Sequence, residues 1–251
     1  MSKGGSRLDL ALVAAGLAES RSQAQALILA GKVRVAGATE RRASRQVRPG
    51  EAVELVARPP FVSRGGEKLA PALDAFGIEV AGRVCADIGA STGGFTDVLL
   101  QRGAAHVFAV DVGRGLIHWR LRQDPRVELM ERVNARELRA FSRPVSLITV
   151  DVSFIGLEKV LPALQAAAPG AEYVVLFKPQ FQVGRTAVGK GGVVRDPDVV
   201  RVALDAFSAW CQGAGLEVRG EAPAAVRGAE GNQEHLLHLQ DIVRPPSAPA
   251  E

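Results

Sequence analysis

Four charged residues stand at the ends of apolar runs in this chain. Asp87 follows Val84-Cys-Ala, and Asp111 follows Phe108-Ala-Val. Asp151 follows the run from Val145 to Val150, and Lys178 follows Tyr173-Val-Val-Leu-Phe177. One such charge is ordinary solvation of a strand end. Four call for a shared rim, because the strands of a parallel α/β sheet turn their carboxyl ends toward one ligand crevice. A lysine on a buried strand end beside another cation has its neutral form favoured, and a neutral amine can act as a base.

Between Asp87 and Asp111 lies the turn Gly89-Ala90-Ser91-Thr-Gly93-Gly94-Phe95. Its three glycines let the backbone approach a ligand, and the helix behind it offers free N–H groups. Asp111, at the tip of the next strand, can accept both hydroxyls of a ribose. Glycine clusters alone also make plain turns; carboxylates at both strand ends favour a nucleoside-type ligand. A dinucleotide turn wants glycine where Ser91 stands, to admit a pyrophosphate. Asp87, two residues before the first glycine, repels a pyrophosphate and suits an ammonium group. S-adenosylmethionine carries an ammonium and a ribose but no phosphate, and is the expected cofactor ahead of NAD.

Strands alternating with helices must hold these residues, which implies a mainly parallel sheet. Strands are expected at Val84 to Asp87, Val107 to Val110, Val127 to Met130, Val145 to Val150, Tyr173 to Phe177, Leu216 to Ala222 and Glu234 to Gln240. Helices are expected at Glu67 to Phe76, Thr92 to Arg102, Gly115 to Gln123, Ser153 to Ala167, and from Asp196-Pro197 to near Gly213. Lys68 then lies in a first helical turn, where alone it reads as a surface lysine. Asn134 has two readings, a reach to the adenine edge or a helix cap. Gly184 to Gly192 reads as a mobile loop.

With 251 residues and 47% hydrophobic content, the chain has room for one large domain and one small one. No apolar stretch approaches the ~20 residues of a membrane helix, and Met-Ser-Lys-Gly-Gly-Ser at the N-terminus lacks a signal-like apolar region. Two cysteines and four histidines in no ligand spacing give an expectation of no metal site and of a reducing cytoplasm. Charge is uneven: residues 1–60 carry ten Lys/Arg against five Asp/Glu, while the whole chain sums to +4. A basic first quarter on a nearly neutral remainder suggests a nucleic-acid-binding module. In it, residues 1–6 read as disordered, Arg7 to Ala15 as a helix ended by Gly16, and Ser20-Arg-Ser-Gln23 as a capping box opening a second helix that runs to Ala30. Strands follow at Lys32 to Val35 and Ala52 to Val56. The expected division is 1–57 for this module, 58–62 for a proline-stiffened linker, 63–243 for the catalytic domain and 244–251 for a disordered tail.

The module's Arg7-Leu-Asp, Gly16-Leu, Ser20-Arg-Ser, Ala26-Leu-Ile, Gly31-Lys-Val-Arg-Val and Val47-Arg-Pro-Gly50 resemble the αL RNA-binding motif. That motif occurs in a small-subunit ribosomal protein, pseudouridine synthases and tyrosyl-tRNA synthetases. The resemblance implies phosphate contacts to structured RNA. The residues it assigns to RNA are Arg7, Arg21, Lys32, Arg34, Arg41 and Arg42, with Arg64 from the motif that follows the linker.

The order Lys68, Asp151, Lys178, Glu234 resembles the Lys-Asp-Lys-Glu tetrad of FtsJ-like ribose 2′-O-methyltransferases. With Ser63-Arg-Gly-Gly-Glu-Lys68, Asp87 to Asp97, Val150-Asp-Val-Ser-Phe-Ile155, Leu176-Phe-Lys-Pro-Gln-Phe181 and Gly231-Asn-Gln-Glu-His235, residues 7–240 are similar to the TlyA (hemolysin A-like) rRNA methyltransferase family. The resemblance implies a Rossmann-like S-adenosylmethionine-dependent methyltransferase fold behind a small α+β RNA-binding domain. It implies 2′-O-methylation of cytidine in 16S and/or 23S rRNA, with ribosomal RNA or ribosomal subunits as partner and no membrane. Lys178 would take the proton or stabilise the alkoxide, Asp151 and Glu234 would orient it, and Lys68 would tune it or hold substrate. The cofactor would lie on Asp87, Gly89, Ala90, Ser91, Gly93, Gly94, Phe95, Asp111, Asn134 and Asp151. Arg58-Pro-Pro-Phe-Val62 departs from the family's Arg-x-Trp-Val linker by an insertion and by Phe61. Three rival readings are a tethered inactive fold, a membrane-active hemolysin and an NAD-dependent oxidoreductase; the four-residue tetrad, the lack of an apolar span, and Ser91 with Asp87 weigh against them in turn.

Overall fold

The structure, a computed structural model, describes residues 5–56, 59–184 and 187–242. The chain divides into two units, Met1–Pro59 and Pro60–Glu251.

In the first unit, strand β1 (Ser6–Arg7) leads into helices α1 (Leu8–Ala14) and α2 (Arg21–Leu29). Strands β2 (Val33–Val35), β3 (Ala38–Thr39), β4 (Gln46–Val47) and β5 (Val53–Leu55) follow. The order β3-β2-β5 forms one small sheet, and β1 pairs with β4. Leu8, Leu12, Ala24, Ile28, Val33 and Val47 meet in its core. Ser6 is therefore ordered rather than disordered, because its backbone pairs opposite Val47; residues 1–4 lie outside the described residues. Ser20 caps α2 by accepting from the Gln23 N–H at 3.2 Å. Gln23 reaches back to the Glu19 N–H at 2.6 Å, one residue earlier than a standard capping box requires. On β2, Val33 and Val35 face inward and Arg34 outward, the alternation a half-buried strand imposes.

The second unit carries the sheet. Helix α3 (Gly65–Phe76) precedes β6 (Val84–Ile88), α4 (Gly94–Gln101), β7 (His106–Asp111), α5 (Trp119–Arg122) and β8 (Val127–Glu131). Then come β9 (Leu147–Val150), α6 (Leu161–Ala167), β10 (Glu172–Phe177), α7 (Pro179–Gln182), α8 (Pro197–Gly213), β11 (Leu216–Pro223) and β12 (His235–Asp241). The seven strands lie in the order β8-β7-β6-β9-β10-β12-β11, with β12 antiparallel to both neighbours. The order reverses between β6 and β9, the switch point where such sheets bind ligands. Period-two alternation divides the core. Tyr173, Val175 and Phe177 pack with Leu204 and Phe207 on one face; Val174 and Leu176 pack with Leu69, Leu73 and Val98 on the other. Cys85 and Cys211 are buried, and burial pushes both thiols up to about 12.

Several expected boundaries move. The helix expected from Ser153 begins only at Leu161, because Pro162 needs the first turn of a helix. Ahead of it, Phe154 sits at φ 64° and a single 3-10 turn spans Leu157–Lys159. Helix α4 starts at Gly94 rather than Thr92, since Gly93 turns the chain at φ 94°. Helix α5 starts at Trp119, where His118 Nδ1 accepts from the Arg120 N–H, and α3 starts two residues early, at Gly65. Of the linker, Arg58 lies outside the described residues. Pro60 and Val62 are fastened to α4: Gln101 donates to the Pro60 carbonyl at 2.9 Å, and the Val62 N–H donates to Asp97 at 2.8 Å. In the expected loop, residues 185–186 lie outside the described residues, and a turn joins Gly189 to Val193. The expected tail, 244–251, lies wholly outside them. Among the described residues no helix is long and apolar enough to cross a membrane.

Candidate active site

The glycine-rich turn sits on the carboxyl end of β6, pressed against the end of β9. Gly89 has φ 82°, and a Cβ there would stand 2.4 Å from the Asp151 carbonyl oxygen. Only glycine combines that backbone with that approach. Ser91 is held at φ 48°, with its N–H donating to Asp111 Oδ2 at 2.8 Å; the Gly113 N–H donates to Asp111 Oδ1 at 2.7 Å. Asp111 thus braces the turn, and each oxygen keeps a further lone pair.

Asp87 lies beneath the turn, 1% exposed. It accepts from the Thr96 N–H at 2.8 Å and the Thr96 hydroxyl at 2.6 Å, and from Thr149 Oγ1 at 3.2 Å. Burial pushes its carboxyl up to about 7 despite the Thr96 hydrogen bond, and the Asp151 charge adds to the rise.

Two cavities meet at the turn. The larger, about 530 Å³, is lined by Asp111, Leu116, Val133, Asn134, Val152 and Ile155 among others. Its size suits a small-molecule ligand. The smaller, about 240 Å³, is lined by Ser63, Arg64, Lys68, Asp87, Ala90 and Phe95. Gly89, Ser91 and Asp151 border both. Asn134 lines the larger cavity while its side chain caps a 3-10 turn, accepting from the Arg136 N–H at 3.2 Å. The helix-cap reading of Asn134 is therefore realised. Apolar side chains flank the Asp111 carboxylate in the larger cavity and Asp87 lines the smaller, so the walls offer chemistry suited to a nucleoside with an amino-acid tail.

The four residues of the expected tetrad form two ion pairs. Lys178 Nζ lies 2.5 Å from Asp151 Oδ1 and donates to Ser153 Oγ at 2.9 Å. Lys68 Nζ lies 2.6 Å from Glu234 Oε2. Lys178 and Glu234 are buried, at 8% and 2% exposure. Lys68 and Asp151 line the smaller cavity, and each ties one of the buried partners to it. The group in contact with Lys178 is thus a carboxylate, not the cation anticipated, because β9 and β10 pair in parallel and carry Asp151 and Lys178 to one end. Ser153 was concealed in the sequence by reading its segment as a helix. Thr96 and Thr149 give no local sign of holding Asp87. Phe154, 89% exposed, stands beside Phe181 with ring centroids 5.1 Å apart, and the Phe181 ring lies 6.0 Å from Lys178 Nζ.

The basic residues expected at RNA fall into three groups. Arg7 and Arg21 converge on the buried Asp9 at 2.9 Å each; Arg7, with help from Gln25 and Arg21, holds the Asp9 carboxyl well below the usual carboxylate range. Lys32, Arg34, Arg41 and Arg42 are exposed, with Arg42 beside Glu40. Arg64 belongs to the second unit and lines the smaller cavity, one helical turn from Lys68.

The chain matches the FtsJ-like methyltransferase family over residues 61–241 and the S4 domain over residues 6–53. It is 48% identical over 239 residues to the 16S/23S rRNA (cytidine-2′-O)-methyltransferase TlyA of Mycobacterium tuberculosis, covering 93% of this chain and 89% of that protein. A solved structure described as a hemolysin from Streptococcus thermophilus superposes with a TM-score of 0.76 at 38% identity, covering 97% of this chain and 91% of that one. At the level of fold alone, an S-adenosylmethionine dependent methyltransferase from Listeria monocytogenes superposes with a TM-score of 0.52 at 10% identity, over 72% of this chain and all of that one. A sheet with this strand order, two Lys–carboxylate pairs at its switch point and matches spanning both units converge on one assignment: the chain belongs to the TlyA family of FtsJ-like methyltransferases.

Proposed function

We propose that this protein methylates a ribose 2′-hydroxyl of ribosomal RNA, in a cytidine of 16S and/or 23S rRNA, working on the RNA or on ribosomal subunits in the cytoplasm. The observation that carries the reading is the pair of Lys–carboxylate contacts at the smaller cavity, which meets the nucleoside-sized one at Gly89, Ser91 and Asp151. S-adenosylmethionine, when bound, supplies a methyl group made electrophilic by its sulfonium. The fit is to the larger cavity: Asp111 and the turn around Gly89, Ala90, Ser91, Gly93 and Gly94 would hold the ribose and the tail, Phe95 would back the turn, and Asn134 would stand at the base.

The roles of the tetrad follow from its donors. A neutral lysine has two N–H groups and one lone pair. Ser153 takes one donor from Lys178 and the Asp151 carboxylate lies 2.5 Å from its Nζ, so a neutral Lys178 keeps its lone pair for the proton of the 2′-hydroxyl. In the ammonium form the third N–H is aimed at the same oxygen and stabilises it as an alkoxide. With neutral Lys178 the proton passes to its Nζ, and with the ammonium form it leaves to solvent, as the 2′-oxygen gains the methyl. Lys68, fixed by Glu234, supplies a second cation at the smaller cavity. The exposed Phe154 gives a flat surface at the rim, suited to stacking a base drawn out of RNA structure. Arg7, Arg21, Lys32, Arg34, Arg41, Arg42 and Arg64 would meet phosphates.

The test is methyl transfer from labelled S-adenosylmethionine to ribosomal subunits, followed by mapping of 2′-O-methyl groups. The expected product is 2′-O-methylcytidine. Methyl groups found on bases, or on no rRNA at all, would overturn the proposal.

A further inference from the structure

A third cavity lies on the opposite face of β12 from Lys68. Alternation along the strand sends Leu236 to the core that contains Leu69 of α3, and Leu237 to the core of Leu204 and Phe207. Glu234, in phase with Leu236, pairs with Lys68 on the first face. On the second face, Gln233 and His235 line a cavity of about 380 Å³ with Val193, Pro197, Val200 and three arginines, Arg195, Arg201 and Arg227. No carboxylate is in that lining.

Of the three, Arg201 meets carboxylates, held by Glu221 at 3.1 Å and Asp205 at 2.8 Å. Arg195 and Arg227 have no ion-pair partner among the described residues. Both are nevertheless carried on a fixed frame. Asn232, 1% exposed, accepts from the Val194 N–H at 2.9 Å and donates to the Gly192 carbonyl at 2.9 Å. Its own carbonyl accepts from the Gly228 N–H at 3.0 Å, and Arg227 donates to the Gly231 carbonyl at 3.1 Å. One buried amide therefore staples the two segments that bear the guanidiniums without a carboxylate partner.

We propose that this cavity binds a nucleotide of the RNA strand adjoining the target, with its two flanking phosphates on Arg195 and Arg227 and the base against Val193, Pro197 and Val200. Unpaired cations beside an apolar floor are what a single-stranded nucleotide requires, since its phosphate and its base face need different partners. The position suits a neighbour of the target, because Glu234 stands between Gln233 and His235 in the chain. The inference rests on the reading of the reaction as RNA methylation.

The full chain and its Arg195→Ala/Arg227→Ala variant are titrated with a six-nucleotide single-stranded oligoribonucleotide by fluorescence anisotropy across a salt series. The variant should bind about tenfold more weakly at low salt, and its log–log salt slope should fall by about 1.4, roughly 0.7 per lost phosphate contact. S-adenosylmethionine binding by calorimetry should match wild type. In steady state, KM for rRNA should rise while kcat holds. Equal affinity and equal slope overturn the inference, as does an acidic peptide that occupies the site when the oligoribonucleotide does not. Should the double variant lose S-adenosylmethionine binding, Arg195→Gln and Arg227→Gln made singly decide the matter: each should lower the slope by about 0.7, and no change in either is a refutation. If the wild-type chain transfers no methyl group, the proposed reaction fails, while the oligoribonucleotide titration still judges the cavity.

Discussion

At the scale of single residues, Lys178 is the sharpest point of attack. Lys178→Ala removes the group between Asp151 and Ser153 and leaves the apolar strand β10 intact. Methyl transfer should fall by roughly 10²-fold or more, the usual scale for losing an acid–base group, while S-adenosylmethionine binding persists. Lys178→Arg separates the two roles, because guanidinium keeps the charge and cannot give up its proton in this range. Transfer at the wild-type rate by the arginine variant would assign Lys178 to electrostatic stabilisation alone. Ser153→Ala should slow kcat by roughly ten- to a hundredfold, the net worth of one hydrogen bond to a charged group. Ser153→Thr, which keeps the hydroxyl, should restore it, whereas a purely steric role would favour alanine over threonine.

Asp87 makes a statement about pH. Its carboxyl is pushed up to about 7 by burial, above the ~4 of an unfolded aspartate. The folded state then holds this proton more tightly than the unfolded state does. Its contribution to stability is greatest below about pH 4, declines as pH rises toward about 7, and is level above that. Asp87→Asn should flatten the stability curve across that window, as read by urea midpoints at about pH 5 and about pH 8. A cationic cofactor reverses the preference, because an ammonium nearby favours the carboxylate. Cofactor affinity should therefore weaken as pH drops below about 7 in the wild-type chain and less so in Asp87→Asn. Parallel affinity curves for the two proteins would exclude Asp87 as the ammonium partner.

At the scale of elements, the close contact of β6 and β9 sets the site. Gly89 takes a left-handed backbone against the Asp151 carbonyl, so a side chain there is both strained and obstructed. Gly89→Ala should cost about 1–3 kcal/mol of stability, the range for a residue held in a poorly populated backbone region. It should also displace Asp151 and so weaken cofactor binding and turnover together. Chemical denaturation and calorimetry check the two halves separately; a variant as stable as wild type would mean that the strand ends shift apart easily. The segment before α6 illustrates a different limit. Its apolar spacing reads as one long helix from Ser153, yet Pro162 needs the first turn, so Asp151 to Ile155 stay outside the helix and line the larger cavity. Proline chemistry outweighed periodicity there, and the residues freed from the helix include Ser153 and Phe154.

At the scale of the whole molecule, the two units divide the labour by charge. Residues 1–60 hold ten Lys/Arg against five Asp/Glu, and the second unit holds the cavities and the tetrad. A chain beginning at Pro60 keeps the bonds from Pro60 and Val62 to α4. It should retain S-adenosylmethionine binding and lose affinity for rRNA. The loss should be largest at low salt, because release of counterions drives phosphate binding. Electrophoretic or filter binding across a salt series measures it; unchanged RNA affinity at low salt would remove the proposed role of the first unit.

The amino-acid sequence by itself determined which strand ends carry charge, where the glycine turn lies and which kind of cofactor it suits. Those features are local: an apolar run, a following charge and a turn residue are all read within about ten positions. Residue order also supplied the tetrad, through resemblance rather than through any local rule. Only the tertiary structure decided who pairs with whom. Lys68 meets Glu234 across 166 positions, and Lys178 meets Asp151 because β9 and β10 align in parallel. Asp87 is held by Thr96 and Thr149 from two other elements, so this cavity-lining carboxylate is also buried, with a raised pKa. The arginine-lined cavity depends on Asn232 stapling its own loop to Val194 and Gly192, 38 and 40 residues away in sequence. Contacts between distant segments are set by strand register and loop closure, and neither has a signature in the neighbouring residues.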